Sequence, residues 1–333
     1  MAVEMREIPL FAIQGFKIGH AQNKEAGTGI SVFLFDSLRP VGVDVRGGGP
    51  ASRETPLLDP KKGAGGLHAL VLSGGSAFGL DASGGVLTYL EEQGIGFDVG
   101  VTKVPLVCQS CIFDLTVGSS TVRPTKEMAY EACKNASNTV FYEGCIGVGT
   151  GASVGKVCGM DYAMKTGIGA FAMECDGIQA GAVVVLNALG DIFDPETGQK
   201  IAGVLADDKK SFSAERTGNG ELLKILAREQ NLFAQDKSVT NTTLGIIFTN
   251  AKFDKAALSK LASVTQNAFA RTICPVHTMA DGDTVYAVSV GEKKADINAL
   301  GVLCTMVMEK AIVRAVKTAS PLYGLPAYSS LFE

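Results

Sequence analysis

Short apolar runs separated by glycine-rich or polar turns fill the first half of the chain, and longer segments with an apolar stripe alternate with them in the second half. Residues 29–35, 41–45 and 68–72 are apolar runs bounded by turn residues, a pattern that predicts buried strands. The first two are expected to pair through the turn-prone Asp36-Ser37-Leu38-Arg39-Pro40. Ser73-Gly74-Gly75-Ser76 then opens a helix over 77–93, with Phe78, Leu80, Val86, Leu87 and Leu90 on a broad apolar face and Gly94 as its stop. A second helix is expected over 126–136. Residues 165–193 read as two long strands, and 180–189 is so apolar that both faces must be covered, with Asn187 the polar exception. Beyond the turn residues Asp194 to Gln199 come a helix near 221–230, a strand over 244–249, a helix over 255–270, a strand over 284–290 and a long helix over 295–319. Strands alternating with amphipathic helices need those helices outside a sheet, and two such halves make an α/β fold of four layers, an α-β-β-α sandwich.

Composition narrows the function classes. With 333 residues, 46% of them hydrophobic and 19% charged, the chain can bury a large core, and 1–333 is expected to form a single domain. A net charge of -4 with interspersed signs offers no basic stripe for nucleic acid and no polybasic patch for a membrane. The long helix is interrupted by Glu309, Lys310 and Arg314, so it reads as amphipathic rather than as a span, and the first residues lack the apolar core of a secretory signal. Eight scattered cysteines suggest reduced thiols in a cytoplasm. Cys108 and Cys111 form a lone C-x-x-C without a second pair at ligand spacing, so packing is the expected role and no metal or cofactor is expected. The substrate expected by default is a small molecule or peptide.

The candidate chemistry sits at Asn241-Thr242-Thr243, directly before the apolar run Leu244-Gly245-Ile246-Ile247-Phe248. A hydroxyl at the mouth of a buried strand becomes a nucleophile with its own base if the preceding peptide bond is cut, because the new α-amine can take its proton. The same tripeptide also fits a glycosylation acceptor, and threonine is ordinary at a strand start. Competing motifs miss. Gly155-Lys156 lacks the other P-loop residues, since Thr150 and Val157 stand where Gly and Ser or Thr belong. Gly147-Val148-Gly149-Thr150-Gly151-Ala152 is not followed by an amphipathic helix, as a dinucleotide site requires. Gly74-Gly75-Ser76-Ala77-Phe78 lacks the last glycine of the serine-hydrolase elbow, which leaves Ser76 with His20, His68 and His277 as a weaker catalytic alternative.

Six segments occur in order across nearly the whole chain. They are residues 15–20, Arg46-Gly47-Gly48-Gly49-Pro50, residues 72–81, residues 149–156, Val185-Leu186-Asn187-Ala188-Leu189-Gly190-Asp191 and Thr278-Met279-Ala280-Asp281-Gly282-Asp283-Thr284. Together with Asn241-Thr242 they resemble the P1-family, DmpA-type aminopeptidases, a group that includes β-peptidyl aminopeptidases and nylon-oligomer (6-aminohexanoate-oligomer) hydrolases. The resemblance implies the four-layer sandwich shared with ornithine acetyltransferases, layered like N-terminal-nucleophile hydrolases but with different connectivity. It further implies self-cleavage into an α fragment, 1–241, and a β fragment, 242–333, that stay together and assemble as a homo-oligomer, a tetramer of cleaved units. Thr242 would be the nucleophile and Asn187 an oxyanion donor. Lys156 would lie near the nucleophile and depress the amine, and Asp281 and Asp283 would orient Thr242. The Asp-Gly-Asp pair resembles the nylon-oligomer branch more than the serine-dependent aminopeptidases. Acyl transfer of the ornithine-acetyltransferase type, and a non-catalytic protein on the same fold, remain the alternatives.

Overall fold

Strands with apolar residues on both faces are buried only if each face is covered, and the chain meets that demand by stacking two sheets between two helical layers. The computed structural model describes residues 4–227 and 241–332. Its main strands are β1 (Met5–Glu7), β2 (Phe16–Asn23), β3 (Thr28–Arg39), β4 (Val41–Val45), β5 (Ala51–Arg53), β6 (Leu67–Ser73), β7 (Val107–Cys111), β8 (Ile168–Cys175), β9 (Ile178–Val185), β10 (Leu244–Ala251) and β11 (Thr284–Lys293). The main helices are α1 (Ser83–Glu92), α2 (Lys126–Lys134), α3 (Gly218–Ala227), α4 (Lys255–Thr272) and α5 (Ile297–Lys317). One sheet has the order β1-β8-β9-β10-β11-β4 and the other β2-β3-β6-β7-β5.

Alternation along each strand divides the apolar residues between cores. Phe33 of β3, Leu70 and Leu72 of β6, and Ile246 and Phe248 of β10 point into the space between the sheets, where Phe16 stacks on Phe248 with ring centroids 3.9 Å apart. Their neighbours in sequence point the other way. Val32 and Val71 meet Val86 and Leu90 of α1 and Ala129 and Ala132 of α2, while Val184 and Ile247 meet Leu258 and Phe269 of α4 and Met308 and Ile312 of α5. Both long helices start on an aspartate cap: Asp254 accepts from Ala257 N, and Asp296 from Asn298 N and Ala299 N. This is the expected four-layer sandwich. Among the described residues no helix is long and apolar enough to cross a membrane.

Three expectations need correction. The runs 29–35 and 41–45 do not pair: β3 joins β2 and β6, whereas β4 joins the edge of the other sheet against β11. Pro40 separates them and has no amide hydrogen for a hairpin ladder, so the chain bends from one sheet into the other, with Ser289 N donating to the Pro40 carbonyl. The helix expected over 77–93 is α-helical only from Ser83, and Ser76–Ala82 is a 3-10 turn. There Gln109 Nε2 and Arg53 Nη1 capture the carbonyls of Gly79 and Leu80. The run 180–189 leaves the sheet after Val185, because the backbone of Asn187, Leu189 and Gly190 is committed to Thr242, Lys156 and Gly155. The helix expected near 221–230 starts at Gly218; residues 228–230 and the polar stretch 234–240 lie outside the described residues.

Candidate active site

Strand register assembles the site. Val185 pairs with Leu244, and Leu244 with Thr284, so the exit of β9 and the entries of β10 and β11 lie side by side at one end of the sheet. Asn187 follows β9 by two residues, Thr242 precedes β10 by two and Asp283 immediately precedes β11. Thr284 also pairs with Val45, which brings Arg46-Gly47-Gly48-Gly49 to the same end. A Cβ on Gly47 would lie 2.3 Å from the Asp281 carbonyl, so only glycine lets this loop back the Asp-Gly-Asp segment so closely.

Asn241 and Thr242 are 1% and 4% exposed. Thr242 Oγ1 donates to the carbonyl of Asn241 at 2.5 Å, and Gly282 N donates to that same oxygen at 2.9 Å. On the other side of the bond, Thr242 N donates to the Asn187 carbonyl at 2.9 Å. The peptide bond between residues 241 and 242 is thus held by its carbonyl, its nitrogen and the neighbouring hydroxyl. Among the described residues both polar atoms of the buried Asn241 carboxamide lack a hydrogen-bond partner, a cost of about 1–3 kcal/mol per group.

Each aspartate holds a different part of the frame. Asp281 Oδ2 accepts from Thr278 N (2.8 Å) and Thr278 Oγ1 (2.6 Å), which closes a tight loop. Burial, followed by the neighbouring Asp283 charge, pushes the Asp281 carboxyl up to about 6. Asp283 Oδ1 accepts from Thr243 N at 2.8 Å, and its Oδ2 accepts from both N and Nδ1 of His277.

Lys156 is buried, which removes the alternative of a surface lysine. Its Nζ donates to Asn187 Oδ1 at 2.7 Å and to the Asn187 carbonyl at 3.4 Å, the carbonyl that also holds Thr242 N. Desolvation pushes the Lys156 amine down to about 7, partly offset by Asp281, Asp114 and Asp283. Asn187 is fully buried, with Oδ1 also accepting from Ser153 N and Nδ2 donating to the Phe113 carbonyl at 3.0 Å. The five expected side chains therefore converge, and Asn187 contributes its main-chain carbonyl as well as its carboxamide.

The family model of peptidase family S58 matches residues 10–328. The chain belongs to peptidase family S58, the DmpA family. It is 35% identical over 346 aligned positions to an uncharacterized aminopeptidase of Mycobacterium bovis, with 96% of each chain covered. It is 30% identical to the 6-aminohexanoate-oligomer endohydrolase of Paenarthrobacter ureafaciens, over 94% of this chain and 87% of that one. The L-aminopeptidase D-Ala-esterase/amidase of Ochrobactrum anthropi, a variant of the Ntn-hydrolase fold, superposes with a TM-score of 0.69 at 15% identity, covering 97% and 89%. A β-aminopeptidase of Burkholderia gives 0.66 at 18%, covering 93% and 86%. As a member of family S58, the protein is a hydrolase acting on peptide or amide bonds.

Sequence reasoning missed four participants at this S58 site: the Gly282 amide, the Thr243 amide, Thr278 and His277. A glycine between two aspartates was the visible signal for the first, but backbone donors carry no residue-type signature. Cys108 and Cys111 stay outside the site. They lie three apart on β7 and so point to opposite faces of the sheet. Cys108 packs between the sheets, Cys111 meets Ser73 and Gln109, and burial pushes both thiols up, Cys111 to about 12. Among the described residues no three His, Cys, Asp or Glu side chains are grouped as metal ligands would be.

Proposed function

We propose that this chain is a precursor that cuts itself between Asn241 and Thr242, and that Thr242, at the head of the new fragment, is the nucleophile for hydrolysis of small peptides or linear amides. The observation that carries this reading is the pair of donors on the Asn241 carbonyl, Thr242 Oγ1 at 2.5 Å and Gly282 N at 2.9 Å. Gly282 N would stabilise the oxyanion formed when Oγ1 attacks the Asn241 carbonyl carbon. A preorganised backbone donor of this kind is worth about 2.7–4 kcal/mol of barrier. Collapse breaks the C–N bond, the hydroxyl proton passes to the departing nitrogen, and an ester to Thr242 Oγ remains. Water then releases the Asn241 carboxylate and restores the hydroxyl.

The freed α-amine has an unperturbed pKa of about 7.7–8.0, suited to a general base near neutral pH. Its hydrogen bond to the Asn187 carbonyl would persist and orient its lone pair. Lys156, on the same carbonyl, would lower its pKa whenever the lysine is charged. The second N–H of the Asn187 carboxamide would serve the oxyanion in turnover, and Asp281 and Asp283 would hold the loop that carries Gly282. The fragments 1–241 and 242–333 would stay joined, because β10 and β11 lie between β9 and β4 within one sheet. The names of the relatives favour amino-terminal residues and amide oligomers as substrates.

Intact mass under denaturing conditions, for the wild type beside Thr242→Ala, tests the reading. Two fragments divided at 241/242 in the wild type, and an uncut variant with amide hydrolysis down by about 1,000-fold or more, are expected. A cut at the same bond in Thr242→Ala, or an uncut wild type after long incubation, would overturn it.

A further inference from the structure

Asp283 reaches the residue beside the nucleophile with one oxygen, and His277 occupies the other. Oδ1 accepts from Thr243 N at 2.8 Å, while Oδ2 accepts from His277 N at 3.1 Å and His277 Nδ1 at 3.0 Å. A carboxylate accepts and does not donate, so Nδ1 carries the hydrogen. His277 delivers both donors to one oxygen because its backbone lies at φ +58°, the left-handed region where histidine is among the few tolerated side chains. The far nitrogen, Nε2, is buried without a hydrogen-bond partner among the described residues, and the ring lies 6.2 Å from the ring of Phe269 in α4. An imidazole with an orphaned Nε2 is an expensive space-filler, since an apolar side chain would fill the volume without that loss. The arrangement gains something only through Nδ1.

We infer that His277 is a positioning residue: it clamps the Asp283 carboxylate against the Thr243 amide and thereby fixes Thr242 against Gly282. The inference rests on the reading of Thr242 as nucleophile. The ring acts through Asp283 alone, because no hydrogen bond joins it to Thr242, so it is not the base of the reaction. With one carboxylate oxygen doubly held, rotation of the Asp283 side chain is blocked and its second oxygen stays on Thr243 N. Loss of the Nδ1 donor leaves a single backbone N–H on that oxygen. The carboxylate is then held by one backbone N–H on each oxygen and can rock, so the anchor on the peptide unit after the nucleophile loosens.

Two substitutions separate the donor from the backbone conformation. His277→Gly adopts the left-handed conformation freely but has no side-chain donor, whereas His277→Asn tolerates it and presents an amide N–H near the position of Nδ1. The full chain, its Gly and Asn variants and Thr242→Ala are made by cell-free synthesis, and the cut fraction is followed on denaturing gels. The cut chains are then assayed on an amino-acid amide. His277→Gly should cut itself about tenfold to a hundredfold more slowly, as misplacement of reacting groups by an ångström or less does. Its kcat should fall by a similar factor with KM within about twofold, and His277→Asn should recover most of both rates. Wild-type rates in His277→Gly, or equal slowing in both variants, would overturn the inference. Cutting of Thr242→Ala at the same bond would instead remove the reading on which it rests, and thermal melts of each variant distinguish slow chemistry from a failure to fold.

Discussion

Two hydroxyl residues stand at the end of a buried strand beside glycines, and only one stands in a site. Ser76 follows β6 on a sharp turn, with Gly75 at φ +84° and Ser76 itself at φ +53°, close to the strained strand-to-helix geometry of a serine-hydrolase elbow. Its base is missing. His20 Nδ1 is bonded to Ser31 Oγ, His68 Nδ1 accepts from Leu106 N and His277 Nδ1 donates to Asp283; among the described residues none is hydrogen-bonded to Ser76. Thr242 sits on no such turn, yet three strand ends bring a carbonyl, an amide, a lysine and two carboxylates around it. A local turn imitates a nucleophile cheaply. A register shared by β9, β10 and β11 cannot arise by accident of local sequence, and it is the better sign of chemistry.

The comparison is broken most severely at Gly282. A Cβ there would lie 2.6 Å from Thr242 Oγ1 and 3.1 Å from the Gly49 carbonyl, so either the hydroxyl or the loop must move. Gly282→Ala is expected to slow self-cleavage by about a hundredfold or more, the scale set by a displaced oxyanion donor. Overpacking should also cost about 1–3 kcal/mol of stability, visible in a denaturant melt. A chain that melts within that range and still cuts itself at the wild-type rate would remove Gly282 N from the reaction and leave the Thr242 region with no stronger case than a well-packed turn.

A smaller effect is expected from Lys156. Among the described residues two lysines are buried, and their partners differ. Lys165 donates to the carbonyls of Gly149, Ala152 and Thr166 and lies beside the Cys145 thiol, with burial pushing its amine down to about 8. Lys156 faces Asn187 and has Asp281, Asp114 and Asp283 nearby. Lys156→Met should reduce amide hydrolysis about tenfold to a hundredfold. It also carries a pH signature, best read on the Thr242→Ala background so that both chains stay whole. The folded amine lies at about 7 and the unfolded one near 10.4, so between these values the native state binds fewer protons and stability rises with pH. The melting temperature of the Lys156 chain should therefore gain on that of the Met variant from pH 7 to pH 9.5, while Lys165, present in both, cancels. A constant difference across that range would mean that the lysine is not desolvated as the site requires.

Much of this was legible in the chain. The four layers follow from alternating strands and striped helices, and Thr242, Asn187, Lys156, Asp281 and Asp283 were marked by their segments before any geometry was known. What could not be read was of two kinds. The first is where a run leaves its sheet: residues 186–190 are as apolar as a strand, yet their backbone turns away to serve Lys156 and Thr242, and Pro40 sends β4 to the other sheet although its composition matches its neighbour. The second is main-chain chemistry. Gly282 N, Thr243 N and the Asn187 carbonyl make hydrogen bonds that any residue type can make, so only register reveals them. His277 stood out in the sequence only as a candidate base for Ser76, whereas here it holds a carboxylate in place.

The smallest expected effect sharpens the contrast from the other side. Ser76→Gly removes the hydroxyl and relaxes rather than strains a backbone already in the left-handed region, so it deletes chemistry without disturbing conformation. The Gly75 amide would keep its bond to Asp114 Oδ1, and residue 76 N its bond to the Ile112 carbonyl. Self-cleavage and kcat are expected to remain within about twofold of the wild type, because removing an unneeded hydroxyl costs little outside a hydrogen-bonded network. A loss of about 1,000-fold, the scale on which a true nucleophile fails, would reverse the assignment and make the turn, not the register, the seat of the reaction. A rise in KM with kcat unchanged would place Ser76 beside the bound substrate while leaving the chemistry with Thr242.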